Sequence, residues 1–191
     1  GSRGVEGKIA AVKYARESGL PYLGICLGFQ VAVIEFARNV LRMSDADSAE
    51  FCPDCQRPVI SELPEQKKIE GLGGTMRLGA QDVSVLPGSL LAGLYREQLS
   101  AQNTVRERFR HRYEVDPSFI ERLEAAGMIF SGRHPSQPIM QMLELPRTLP
   151  EHMTADSSKP RVVHPFFVGA QFHPELTSRP LRPQPMFMGL V

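Results

Sequence analysis

The stretch PYLGICLGFQ, Pro21 to Gln30, sets one cysteine between two glycines directly after an apolar run. Pro21 to Ile25 has the length and composition of a short buried strand. GFQVAVIEFARNVL, Gly28 to Leu41, carries apolar residues at helical spacing. Cys26 therefore stands where a strand hands over to a helix. An inert core cysteine needs no flanking glycines, whereas a G-x-nucleophile-x-G run at such a junction is a nucleophile elbow. There, small residues allow a sharp turn that lifts the side chain out of the packing. The helix N-terminus and its unpaired N–H groups would favour the thiolate over a thiol whose free pKa is about 8.5.

The surrounding pattern is α/β. Val5, Ile9, Val12 and Ala15 predict a helix over residues 5–18, with Gly19 as its stop signal. Helix, elbow strand and second helix alternate in the order that builds a sheet covered by helices. After Leu41 the segment RMSDADSAEFCPDCQRP is polar and turn-rich. GLGGTMRLGAQDVSVLP joins a glycine-rich loop to residues of period two and reads as a hairpin or flap. Ser89 offers an N-cap for SLLAGLY, RFRHRYEV alternates as a strand, and Pro117 to Ala126 reads as a helix closed by Gly127. MIFSG, IMQMLEL and FFVGAQFH supply three further strands, and residues 147–163 a long surface loop.

The 191 residues suffice for one domain with a proper core. Lys plus Arg number 22 against 21 Asp plus Glu, a balance that gives no electrostatic footprint for nucleic acid or an acidic membrane. No apolar run reaches the length of about 18 residues that a spanning helix requires. Three cysteines are too few for a disulfide scaffold, so a reducing, cytoplasmic setting is expected. The opening GSRGVEGK and the closing PMFMGLV read as cut ends, so a single domain incomplete at its N-terminus is expected over 1–191.

A thiolate nucleophile needs a base. Of the five histidines, His173 is the best placed, because FFVGAQFHPE ends a strand at HPE and open α/β sheets keep their catalysts at strand ends. Glu175 can turn back to the second imidazole nitrogen and set its tautomer. Cys26, His173 and Glu175 form a candidate triad. His164, also before a proline, looks similar locally but lacks the Glu partner.

GICLG at an elbow, with HPE far downstream, resembles a class I glutamine amidotransferase. EGK, PYLGICLG, QVAVIEFARNV, GGTMRLGA, RHRYEV and FHPELTSRP resemble, more narrowly, the glutaminase domain of the CTP synthase family. The resemblance implies a Rossmann-like, flavodoxin-like doubly wound sheet. It implies hydrolysis of L-glutamine to glutamate and ammonia, with the ammonia passing to an N-terminal synthetase domain that uses ATP and Mg to aminate UTP. It further implies GTP as allosteric activator, a homotetrameric complete enzyme, and no cofactor or metal in this domain.

By the same resemblance the backbone N–H of Leu27 serves an oxyanion hole, its second donor coming from a segment upstream of Gly1. Gln30, Glu50 and Arg112 contact the substrate: Glu50 its α-ammonium, Arg112 its α-carboxylate end. GGTMRLG is the lid loop, with Gly71, Gly73 and Gly74 as its mobile points and Arg77 as the residue coupling it to GTP. On local sequence alone, Gln30 is equally a solvent-facing helix residue, Glu50 a loop acid and Arg112 part of a solvated strand. Cys52 and Cys55 make a single C-x-x-C, short of the four ligands of structural zinc and off the strand-to-helix position of a thioredoxin-like pair. The rivals are a fragment or binding domain without activity, an amidotransferase serving another synthetase, and a γ-glutamyl hydrolase.

Overall fold

The computed structural model describes residues 4–62, 77–148 and 162–191. Helix α1 spans Val5–Ser18 and buries Val5, Ile9, Val12 and Ala15, the residues whose spacing marked it. It stops where Gly19 turns left-handed, φ 73°, a conformation that costs glycine little. Strand β1 (Tyr22–Ile25) leads through Cys26 into helix α2 (Leu27–Asn39). Short strands β2 (Ala46–Ser48) and β3 (Arg57–Ser61) follow, then β4 (Arg77–Val85), helix α3 (Leu90–Tyr95), β5 (Thr104–His111) and β6 (Glu114–Val115). Helix α4 (Pro117–Ala125), strands β7 (Ile129–Arg133), β8 (Met140–Glu144) and β9 (Phe167–Ala170) and helix α5 (Pro185–Leu190) complete the described chain.

Six strands form one sheet in the order β1-β9-β8-β7-β4-β5, and β2-β3-β6 form a second. Among the described residues, only the β1–β9 and β2–β3 pairs are parallel. The six-stranded sheet is therefore mixed, because its other pairs, β9–β8, β8–β7, β7–β4 and β4–β5, are antiparallel. Alternation along the strands sends side chains to two separate cores, as a sheet with helices on both faces requires. Phe167 and Leu143 join α1, α2 and α4 in one core. Their neighbours Val168 and Met142 join Leu91 and Tyr95 of α3 and Met186 of α5 in the other. This is the helix-covered α/β fold expected from the alternation of elements.

Strand β5 keeps period two throughout, with Val105, Glu107, Phe109 and His111 buried and Arg106, Arg108 and Arg110 exposed between them. It pairs with β4 in unbroken register from Arg77↔His111 to Ser84↔Thr104, so the region read as a hairpin or flap is, from Arg77 onward, sheet. Gly71, Gly73 and Gly74, and most of the loop at 147–163, lie outside the described residues. Helix α3 is capped at its start by the Ser89 hydroxyl, which accepts from Ala92 N at 3.0 Å, and by the Glu144 carboxylate, which accepts from Leu90 and Leu91 N. A carboxylate across the first exposed N–H groups complements the helix dipole. Among the described residues, no helix is long and apolar enough to cross a membrane.

Candidate active site

Cys26 is the N-cap of α2 with φ 51° and ψ −100°, a left-handed backbone that L side chains rarely adopt. Its N–H donates to Ala170 O at 2.7 Å, which prolongs the β1–β9 ladder by one bond and pins the turn to the end of β9. Tyr22 closes the elbow from the strand side, its hydroxyl donating to Gly28 O at 2.8 Å. The two glycines are not equivalent. A Cβ at Gly24 would sit 2.6 Å from the Tyr22 hydroxyl and 2.7 Å from the Gly28 carbonyl carbon, whereas one at Gly28 would meet the hydroxyl alone, at 3.5 Å. Gly24→Ala should therefore lower the unfolding free energy by about 2 to 3 kcal/mol. Gly28→Ala should be neutral or stabilising by up to about 1 kcal/mol, since alanine is the better helix residue. Thermal unfolding of the two variants checks the contrast.

The thiol opens on a cleft of about 310 Å³ lined by Cys26, Leu27, Gln30, Glu50, Arg110, His111, Arg112 and Tyr113. Three elements far apart in sequence meet there: the elbow, the turn after β2 and the turn after β5. Gln30, Glu50 and Arg112 thus share one cavity with Cys26. Glu50 is held in its turn by its own N–H, which donates to the Ser48 hydroxyl at 3.1 Å. Gln30 is 3 % exposed rather than solvent-facing. Its amide nitrogen is committed to the protein, to Tyr113 O at 2.9 Å and Gln171 Oε1 at 3.1 Å, which leaves its oxygen for a bound molecule.

His173 lies three residues beyond β9 rather than within it. Its N–H donates to Arg108 O at 2.9 Å, and Nδ1 meets Glu175 Oε1 at 2.7 Å. The carboxylate accepts, so Nδ1 carries the proton and Nε2 holds the lone pair of a base. Nε2 is buried and has no partner among the described residues. The following turn is fixed by Thr177, whose hydroxyl donates to buried Glu107 at 3.2 Å. His164 is a core residue, 1 % exposed, bonded through Nε2 to Ala15 O and through Nδ1 to Phe166 N.

The expectation of a favoured thiolate is corrected by the structure. Burial pushes the Cys26 thiol up, the Leu27 N–H pulls it down, and Glu175, Glu50 and Glu114 raise it further. Desolvation and three carboxylates outweigh one backbone donor. This environment works against the thiolate.

A model of the family "Glutamine amidotransferase class-I" matches residues 1–150. The chain belongs to this family. Class-I amidotransferases close to it in sequence include the CTP synthases of Methanopyrus kandleri, 51 % identical over 191 residues, and Archaeoglobus fulgidus, 49 % identical. Both matches cover all of this chain and 32 % of the relative, so the chain spans about a third of their length. Among solved structures, the Trypanosoma brucei CTPS glutaminase domain with bound acivicin superposes with a TM-score of 0.81 at 35 % identity, covering 100 % of this chain and 66 % of that one. A putative GMP synthase subunit from Thermoplasma acidophilum, 15 % identical with a TM-score of 0.51, shares the fold; it covers 97 % of this chain and 63 % of that one.

Sequence reading of this amidotransferase chain missed Gln171, whose amide nitrogen lies 3.8 Å from the Cys26 sulfur. The available signal was strand parity, because Gln171 stands two residues before His173 at the end of an apolar run. It also missed His111, 5 % exposed, and Glu114, fully buried, which join at 2.8 Å. Arg77 is placed away from the cleft lining. Its guanidinium donates to the same Glu114 oxygen at 2.8 Å and to Gln81 at 2.9 Å. Cys52 and Cys55 face each other across one turn, Cys55 N donating to Cys52 O at 3.1 Å, and burial beside Cys52 pushes the Cys55 thiol up to about 11. Among the described residues, no group of three or more His, Cys, Asp or Glu is arranged to hold a metal.

Proposed function

We propose that this chain is the glutamine-hydrolysing part of a CTP synthase. The observation that carries the reading is the cleft itself. A cysteine on a strained elbow opens on a cavity that Glu50, Arg110 and Arg112 also line, a set of charges suited to the α-ammonium and α-carboxylate of an amino acid. The His173–Glu175 pair follows directly from the strand to which the elbow is bonded. The names of the relatives support the same assignment.

In this reading the Cys26 thiol gives its proton to His173 Nε2 as the sulfur attacks the side-chain amide carbon of L-glutamine, and a C–S bond forms. The tetrahedral oxyanion is held by the Leu27 N–H, a fixed donor of the kind whose loss costs about 3 to 4 kcal/mol in the transition state. His173 then protonates the departing nitrogen, the C–N bond breaks, and ammonia leaves behind a thioester. Water, deprotonated by His173, cleaves the thioester to glutamate and regenerates the thiol. Glu175 keeps the imidazole in one tautomer and stabilises its cation. Gln30 offers its amide oxygen to the substrate, Glu50 takes the ammonium and Arg112 the carboxylate end. No cofactor or metal enters this half-reaction.

The ammonia serves amination of UTP with ATP and Mg in the synthetase domain of the complete, tetrameric enzyme, and GTP activates the hydrolysis. Arg77 is the candidate for that coupling. Because it holds Glu114, which also holds cleft-lining His111, Arg77→Ala disturbs the cleft wall even without GTP. The complete enzyme should therefore be read as the ratio of GTP-stimulated to basal rate, and an unchanged ratio removes Arg77 from the regulatory role.

A diazoketone analogue of glutamine tests the hydrolytic reading. Peptide mass spectrometry should find one adduct, on Cys26, with loss of dinitrogen, and L-glutamine should protect against it. An adduct shared with Cys52 or Cys55, or untouched by glutamine, would show ordinary thiol alkylation and no glutamine site.

A further inference from the structure

We propose that Gln171 is a catalytic residue of this site: its side-chain amide donates to the Cys26 sulfur and stabilises the thiolate, in an orientation dictated through Gln30 by the carbonyl of Tyr113. The proposal rests on the reading of Cys26 as the nucleophile. Its starting point is a group that can act in one way only. Tyr113 O is a carbonyl and must accept, so the group 2.9 Å from it is the Gln30 nitrogen. The second proton of that nitrogen meets Gln171, 3.1 Å away, which must therefore present its oxygen. The remaining end of the Gln171 amide is the nitrogen, and it faces the sulfur at 3.8 Å. Turning the Gln171 amide over would set its NH₂ against the NH₂ of Gln30 and leave two buried donors opposed. The backbone is equally fixed, Gln171 N donating to Gln141 O at 2.9 Å.

Gln171 is fully buried and Gln30 is 3 % exposed, so the chain of amides runs through dry interior. There a donor aimed at sulfur is stronger than in water, and it favours the charged form of the group that accepts it. The other charged and titratable groups that act on the thiol or line its cleft are Glu50, Glu114 and Glu175, which oppose ionisation, and Arg110, Arg112 and His111, with His173 bonded to Glu175. The three acids come from the turn after β2, from β6 and from the turn after β9. None of these charged groups is hydrogen-bonded to Gln171, so a variant at that position leaves each of them its own partners.

The test is the pH dependence of Cys26 carbamidomethylation by iodoacetamide, read on the Cys26 peptide so that Cys52 and Cys55 do not contribute. Gln171→Met keeps length and removes the donor. Its inflection should lie about one pH unit above wild type, which makes alkylation roughly tenfold slower at pH values below both inflections. An unchanged inflection in a folded variant overturns the proposal. A second measurement needs no variant: in ¹⁵N-labelled wild-type protein the Gln171 side-chain NH₂ resonances should move with the inflection of Cys26. Resonances that stay fixed across that inflection overturn it independently. Neither measurement uses turnover, so a chain that shows the Gln171 effect but does not hydrolyse glutamine would refute the proposed function, and with it the catalytic role, while the amide–sulfur bond itself stood.

Discussion

Cys26→Gly is expected to abolish glutamine hydrolysis and yet to be more stable than Cys26→Ala by about 1 to 2 kcal/mol. Both variants lose the sulfur, so both lose the reaction. They differ in the backbone. At φ 51° and ψ −100° a Cβ crowds the chain, and alanine keeps that strain while glycine removes it. Part of the relief is offset by the larger conformational entropy of glycine in the unfolded chain, about 0.5 to 1 kcal/mol. For a chain of 191 residues the net difference corresponds to a melting temperature higher by about 2 to 8 °C in the glycine variant. Equal melting temperatures would mean that the elbow relaxes around alanine. The strain has a use: it turns the thiol off the β1 ladder and toward the cleft, where a relaxed strand residue would point into one of the two cores.

Arg16→Met is expected to be the most damaging change outside the cleft. Glu35 of the elbow helix is fully buried, and its carboxylate accepts from Arg16 Nε at 2.9 Å and Nη2 at 2.7 Å. Asn39 Nδ2 also donates to this carboxylate, at 3.1 Å. Removing the guanidinium leaves a buried carboxylate with one neutral partner, at a cost of about 3 to 5 kcal/mol and a melting temperature lower by on the order of 10 °C. Glu35→Leu added to Arg16→Met should restore most of that loss, because two apolar groups of similar volume need no partner. A double variant as unstable as the single one would show that packing, and not the stranded charge, is what Arg16 supplies. The pair also ties α1 to α2, so the single variant should loosen the helix on which the elbow is built.

Much of the fold was legible because its signals are local. Val5, Ile9, Val12 and Ala15 mark the buried stripe of α1, and Gly19 its left-handed stop. Ser89 caps α3, Pro117 opens α4, and the alternation of Val105 through His111 is the burial pattern of β5. Each depends on a few neighbouring residues and on the period of a helix or strand. The mixed order of the sheet was not legible, since period two shows that a segment is a strand but not which strand lies beside it. The equal weight given to the two elbow glycines also failed: only Gly24 is crowded, and it is crowded by Tyr22 and by the backbone of Gly28.

The candidate site divides in the same way. The sequence alone determined the elbow at Cys26, the His173–Glu175 pair two residues apart, and the family resemblance that picked out Gln30, Glu50 and Arg112. Tertiary structure alone decided that these last three line one cavity with the thiol, and that Gln30 spends its amide nitrogen on Tyr113 and Gln171. It also decided that Arg77 binds Glu114 and that burial and three carboxylates act against the Cys26 thiolate. The physical reason is range. Turn strain and strand parity are set by neighbours in the chain, whereas desolvation and the pairing of buried polar groups are set by whichever distant residues the fold packs against them.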